Sequence, residues 1–147
     1  MADQTTERMV VNGSLERCFA VVADVEVYPE WVADLKTVEV LERDEENRPS
    51  VVAFRAAAFG RSTSYTLQYD YSGAPNEFSW VQRAGNLTTR LDGRYRFEQL
   101  GEDETQVTYE LTAELKVPIP GFVKRRAEGH ILHAAVRDLK KRVESGR

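Results

Sequence analysis

The sequence predicts an α+β fold, a seven-stranded antiparallel sheet curved around one long C-terminal helix, with two short helices after the first strand. Three observations carry this. From about Leu35 to Leu115, apolar side chains recur at every second residue, the period of a half-buried strand. From Pro120 onward they recur at helical spacing. Between the two regimes stand Pro118 and Pro120, which cannot continue a sheet ladder.

The elements follow in order. Thr5 to Val11 reads as a short strand closed by Asn12-Gly13. Ser14 is placed to cap a helix whose apolar face is Leu15, Cys18, Phe19 and Val22. Asp24 is placed to cap a second, shorter helix, which Pro29 breaks or reduces to a turn. Six strands come next, divided at Glu45–Pro49, Gly73–Asn76 and Gly101–Glu104. In three of them the alternation is explicit: Tyr65, Leu67, Tyr69 and Tyr71; Leu87, Thr89, Leu91, Gly93, Tyr95 and Phe97; Val107, Tyr109, Leu111, Ala113 and Leu115. In the final helix Ile131, Leu132, Ala135, Val136, Leu139 and Val143 form one stripe, with His130, His133, Arg126 and Arg137 opposite.

Composition narrows the class. The 147 residues suffice for one domain, expected to span 1–147. No apolar run reaches the roughly 18–20 residues of a membrane span, and residues 1–13 lack the apolar core of a signal peptide, so a cytoplasmic protein is expected. A single cysteine, Cys18, leaves no internal disulfide, and no Cys/His cluster suggests a metal. Net charge is −4, yet residues 124–147 carry eight basic and three acidic side chains. That tail complements the dipole of its own helix, and no nucleic-acid motif accompanies it. No cofactor is expected. Gly60, Gly73, Gly85, Gly93 and Gly101 are isolated turn or strand residues and form no phosphate loop.

A helix is only about 10–12 Å across, whereas six or seven strands at about 4.8 Å span far more. The concave face of the sheet therefore exceeds what one helix fills, and a cavity lined by apolar and aromatic groups is expected.

The order of elements, Tyr28-Pro29-Glu30-Trp31 after the first helices, the turn Val117-Pro118-Ile119-Pro120-Gly121 and the terminal helix resemble the polyketide cyclase/dehydrase branch of the START-like superfamily. The resemblance covers nearly the whole chain. It implies the helix-grip (START/Bet v 1-like) fold and a cavity for a hydrophobic small molecule, as in aromatase/cyclases and coenzyme Q-binding proteins. Those aromatase/cyclases use a cavity arginine. Here Arg55, Arg90, Arg94 and Arg96 all fall on the polar phase of their strands and should face outward.

Ten residues are expected to line the ligand site. Phe54, Tyr69, Leu91, Tyr95 and Tyr109 share the apolar phase of the sheet, and Trp31 and Trp80 either line the ligand or fill the core. Leu132 lies on the helix stripe, and Phe122 lies in the Pro118–Phe122 segment that should flank the opening. Glu128 falls inside the stripe. It either serves as an acid/base or ligand-head partner, or pairs with Lys124 or Arg125 one turn away. Gly93 marks either a bulge or space left for a ligand. His130 and His133 read as a solvated pair. The expected function is binding or transport of a lipid, isoprenoid quinone or polyketide, with transient membrane contact and no obligate protein partner. The alternatives are a polyketide cyclase or dehydrase using the tyrosines and Glu128, and a module docking a partner through the basic helix.

Overall fold

The computed structural model describes residues 4–58 and 61–146, with the Ala58 side chain left aside. Among these the chain runs β1 (Gln4–Asn12), α1 (Leu15–Ala23), a 3-10 helix (Val25–Glu30), β2 (Leu35–Arg43), β3 (Pro49–Ala58), β4 (Arg61–Asp70), β5 (Glu77–Gly85), β6 (Thr88–Gly101), β7 (Glu104–Leu115) and α2 (Gly121–Glu144). The strands form one sheet in the order β1-β7-β6-β5-β4-β3-β2. Each neighbouring pair is antiparallel, and the first strand closes against the last.

Local chemistry sets the boundaries. The Ser14 hydroxyl accepts the Arg17 N–H at 3.2 Å, satisfying one of the orphan donors at the start of α1. Leu15, Cys18, Val21 and Val22 then face inward at helical spacing. Asp24 does not cap as expected. Its side chain makes no cap hydrogen bond, and the following segment, with Pro29 inside it, tightens into a 3-10 helix stabilised by the Val27 N–H donating to the Asp24 carbonyl at 3.3 Å.

Strand phase follows the sequence except at the start of β6. A register shift between Thr88 and Arg90 places Thr88 inside and Thr89 outside, the reverse of the simple alternation. The outer face carries Arg90 against Asp92 and Glu114, and Arg94 and Arg96 against Glu110, with ion-pair distances of 2.8–3.8 Å. No arginine of this set enters the interior.

Helix α2 lies along β1 and the adjoining part of β7, and touches α1. The Glu128 carboxylate accepts the Thr5 hydroxyl at 3.2 Å, and Lys140 reaches the Val10 carbonyl at 3.3 Å. At the far end Glu144 accepts the Asn12 N–H at 2.8 Å. The free edge of β1 is thereby covered by the helix. Leu132, Val136, Leu139 and Val143 are buried in this contact. The expected solvated histidine pair is revised in one respect: His133, still exposed, has its Nδ1 3.1 Å from Glu7 Oε1.

Helix α2 sits toward the β1–β7 side, α1 packs through Phe19 on Phe78 of β5 and Phe97 of β6, and the 3-10 helix packs against β2. That asymmetry opens the interior where the site lies.

Candidate functional site

Between α2, the 3-10 helix and the concave face of the sheet lies a cavity of about 160 Å³. Eight aromatic rings contribute to its wall: Tyr28, Trp31, Phe54, Tyr65, Tyr69, Trp80, Tyr95 and Tyr109. Leu67, Leu91, Leu111 and Ile131 add aliphatic surface. The exposed residues Ala33, Asp34 and Ala57 mark its mouth. A shallower hollow of about 400 Å³, near Thr37, Arg55, Thr66 and Ala84, lies among solvent-facing polar side chains.

Alternation on adjacent strands brings the rings together. Trp80 is the hub, with centroids 5.9 Å from Tyr69, 5.8 Å from Tyr95 and 5.7 Å from Tyr109. Tyr95 and Tyr109, opposite each other across β6 and β7, approach to 4.4 Å. A second run, Trp31–Tyr28–Phe54–Tyr65, walks from the mouth along β3 and β4. These rings occupy most of the space the curved sheet encloses, so the cavity is small. Voids of about 150 Å³ hold one benzene-sized molecule. A longer ligand must extend through the mouth.

The polar groups on the wall divide into two sets. Thr63, Thr88 and Tyr28 are satisfied within the protein, by Asn86, Gln82 and the Val22 carbonyl respectively. The hydroxyls of Tyr65, Tyr69, Tyr95 and Tyr109 have no hydrogen-bond partner among the described residues. The Trp31 indole N–H is buried and also lacks an acceptor. The tyrosine hydroxyls open onto the cavity, where water or a ligand can pair with them, whereas the buried Trp31 N–H carries the cost of about 1–3 kcal/mol of a donor left unmatched.

Burial holds the phenols neutral. It pushes Tyr65 up to about 12, and raises Tyr109 above its ordinary value. Tyr69 and Tyr95 rise well above theirs, through burial first and the crowding of the other tyrosines second. They present hydrogen-bond donors and acceptors, not phenolate bases.

Two carboxylates complete the wall. Asp34 lies at the mouth. Asp138 projects from α2, where its Oδ2 accepts the Ala33 N–H at 3.4 Å and its Oδ1 lies 3.7 Å from Arg137 Nε. No lysine, arginine or histidine is among the described lining residues.

Seven of the ten expected residues line the cavity: Trp31, Phe54, Tyr69, Trp80, Leu91, Tyr95 and Tyr109. The other three do not. Phe122 is 63% exposed at the start of α2. Leu132 is fully buried on the helix face that packs toward β1, and Glu128, 1% exposed, lies on the same side. Glu128 accepts Lys124 Nζ at 2.8 Å as well as the Thr5 hydroxyl, so its charge is paired within the fold. The single apolar stripe read from the sequence is two faces, set about 100° apart on the helix. One packs on β1; the other, with Ile131, Ala134, Ala135 and Asp138, looks into the cavity. Asp138 was missed for this reason, although its position three after Ala135 and seven after Ile131 carries the signal. Tyr28 and Tyr65 were also missed as lining residues, though Tyr65 lies in phase with Tyr69.

Comparison with solved structures shows what this architecture resembles. A START superfamily protein from Mycobacterium smegmatis is 27% identical, with a TM-score of 0.92 over 98% of this chain and 99% of that one. The Zhui aromatase/cyclase from Streptomyces sp. R1128 is 15% identical, with a TM-score of 0.86 over 98% and 94%. TTHA0849 from Thermus thermophilus is 19% identical, with a TM-score of 0.82 over 98% and 99%. The latter two likenesses concern the fold alone. With the START superfamily protein and the seven-stranded sheet against α2, that fold is the START/Bet v 1-like helix-grip arrangement. No curated protein matches the chain. The model of the family described as polyketide cyclase / dehydrase and lipid transport matches residues 11–140, and the chain belongs to that family.

Proposed function

We propose that this protein reversibly binds a compact, largely apolar small molecule bearing one or two hydrogen-bonding groups, held in the cavity beside α2. The observation that carries this reading is the set of unpartnered tyrosine hydroxyls on a largely aromatic and aliphatic wall. Ring and aliphatic surface supplies affinity at about 25 cal/mol per Å² buried, before the costs of association. The hydroxyls supply orientation, because a ligand that leaves them unpaired forfeits their compensation. A lipid, an isoprenoid quinone or a polyketide fits only as a ring-sized head group inside, with the remainder outside the mouth.

The cyclase alternative needs a group that moves protons within the cavity. Of the groups the sequence offered for this, the tyrosines are held neutral and Glu128 lies elsewhere, paired with Lys124. A cyclase would have to use Asp34 or Asp138, the carboxylates on the wall, and the apolar surroundings favour binding.

Equilibrium dialysis of 2-phenylethanol, a ring-sized probe with one hydroxyl, tests the reading. Saturable one-to-one uptake is expected in the natural protein. Ala135→Phe, which places a ring inside the cavity, should abolish it while the protein stays folded by circular dichroism. Non-saturable uptake, equal in both proteins, would contradict the proposal.

A further inference from the structure

We infer that the molecule taken by this cavity is an organic cation: a protonated amine on an aromatic or short aliphatic body. This rests on the binding reading above and specifies its ligand class.

Four observations converge. First, apart from tyrosine, the ionisable residues on the described wall are acids, Asp34 and Asp138. An anionic ligand would meet two carboxylates and no countercharge. Second, the wall is rich in aromatic rings, Trp31 and Trp80 with Tyr69, Tyr95 and Tyr109, and the face of such a ring attracts a cation within about 6 Å of its centroid. Third, the unpartnered hydroxyl oxygens accept from an ammonium N–H, which a hydrocarbon or ester ligand lacks.

Fourth, Asp138 is a carboxylate short of partners. Its side chain is 12% exposed, yet it has one long hydrogen bond from the Ala33 N–H at 3.4 Å and an Arg137 nitrogen at 3.7 Å. An ionised carboxylate accepts about four hydrogen bonds, so most of its capacity is open. Asp138 lies on the same cavity wall as Tyr95, whose proton its charge helps to retain. The neighbouring cations are not among the described lining residues: Arg137 is half exposed, and Arg142, 19% exposed, pairs with Glu30 at 3.3 Å. The ammonium is therefore expected at the Asp138 end, with its organic body among the rings.

Three probes of nearly equal size separate this claim from the binding reading: 2-phenylethylammonium, 2-phenylethanol and phenylacetate at pH 7, titrated against the quenching of tryptophan emission. The ammonium is expected to bind about tenfold more tightly than the alcohol, with phenylacetate weakest. Asp138→Asn, which keeps an oxygen for the Ala33 N–H, should remove most of that advantage, read as the ratio of ammonium to alcohol affinity in the same protein. If the alcohol binds as tightly as the ammonium, the cation assignment is wrong and the binding reading stands. A cation advantage unchanged in Asp138→Asn would likewise overturn it. If none of the three binds, both fail. Should the variant not fold, the ranking of the three probes on the natural protein decides the matter.

Discussion

The indole of Trp80 lies directly over Gly93, its partner on β6, so that a Cβ at position 93 would overlap the ring and come within 2.7 Å of Cε2. Gly93 is thus the seat of one of the two tryptophans in the cavity wall. It neither introduces a register shift in β6 nor leaves a void for a ligand. Gly93→Ala is expected to cost about 1–3 kcal/mol and to push the Trp80 ring into the cavity. Urea unfolding measures the first effect and a shift in tryptophan emission the second. Unchanged stability and emission would show that the indole is placed otherwise.

Lys124 and Glu128 form the best-buried ion pair of the described residues, with Glu128 1% exposed and the nitrogen–oxygen distance 2.8 Å. Lys124→Ala leaves the carboxylate with only the Thr5 hydroxyl, and should destabilise the fold by about 2–4 kcal/mol. Probe binding by the surviving folded protein should not change, because neither residue touches the cavity. A loss of binding without a loss of stability would return Glu128 to the site.

All six tyrosines are raised above their ordinary value, Tyr65 and Tyr71 to about 12, with burial the first cause in each. The folded chain keeps these protons above pH 10, where the unfolded chain gives them up. Their stabilising contribution is therefore unaffected below about pH 10 and is lost as pH rises from there toward the folded values, at about 1.4 kcal/mol per unit for each tyrosine. Absorbance at 295 nm should show no phenolate between about pH 9.5 and 11 while the fold persists, followed by a cooperative rise on unfolding. Several tyrosines titrating near 10 in the native protein would contradict the burial described here.

Phe122, at 63% exposure, has little to lose on substitution. Phe122→Ser should change stability by no more than about 0.5 kcal/mol and leave the affinity for 2-phenylethanol unaltered. A tenfold loss of affinity would place the residue at the mouth after all.

What the sequence made legible, and what it hid, has one physical origin. Strand alternation reports which face a side chain occupies, so Tyr69, Tyr95, Tyr109 and Trp80 could be assigned to the interior without coordinates. It fails where the register slips, and the irregularity near Thr88 exchanged the positions of Thr88 and Thr89. Helical periodicity reports that a stripe is apolar, but not which neighbour each part of it meets. Ile131 and Leu132 are adjacent in sequence, yet one faces the cavity and the other the β1 side. The decisive fact, that α2 lies over β1 and β7 instead of the centre of the sheet, depends on pairings such as Thr5 with Glu128, 123 residues apart. No local pattern encodes them. The size of the cavity was hidden for a related reason, since ring packing around Trp80 determines how much of the enclosed space stays open.

The central claim is that a small molecule sits among these rings, and the two tryptophans of the chain report on it directly, one near the mouth and one at the hub. We would follow both indole N–H resonances by nitrogen-15 NMR during a titration with 2-phenylethanol. Both are expected to move and saturate together at one equivalent, with the unpartnered Trp31 N–H shifting most. Indole signals that stay fixed through saturating probe, or a Trp31 shift with Trp80 unmoved, would contradict it.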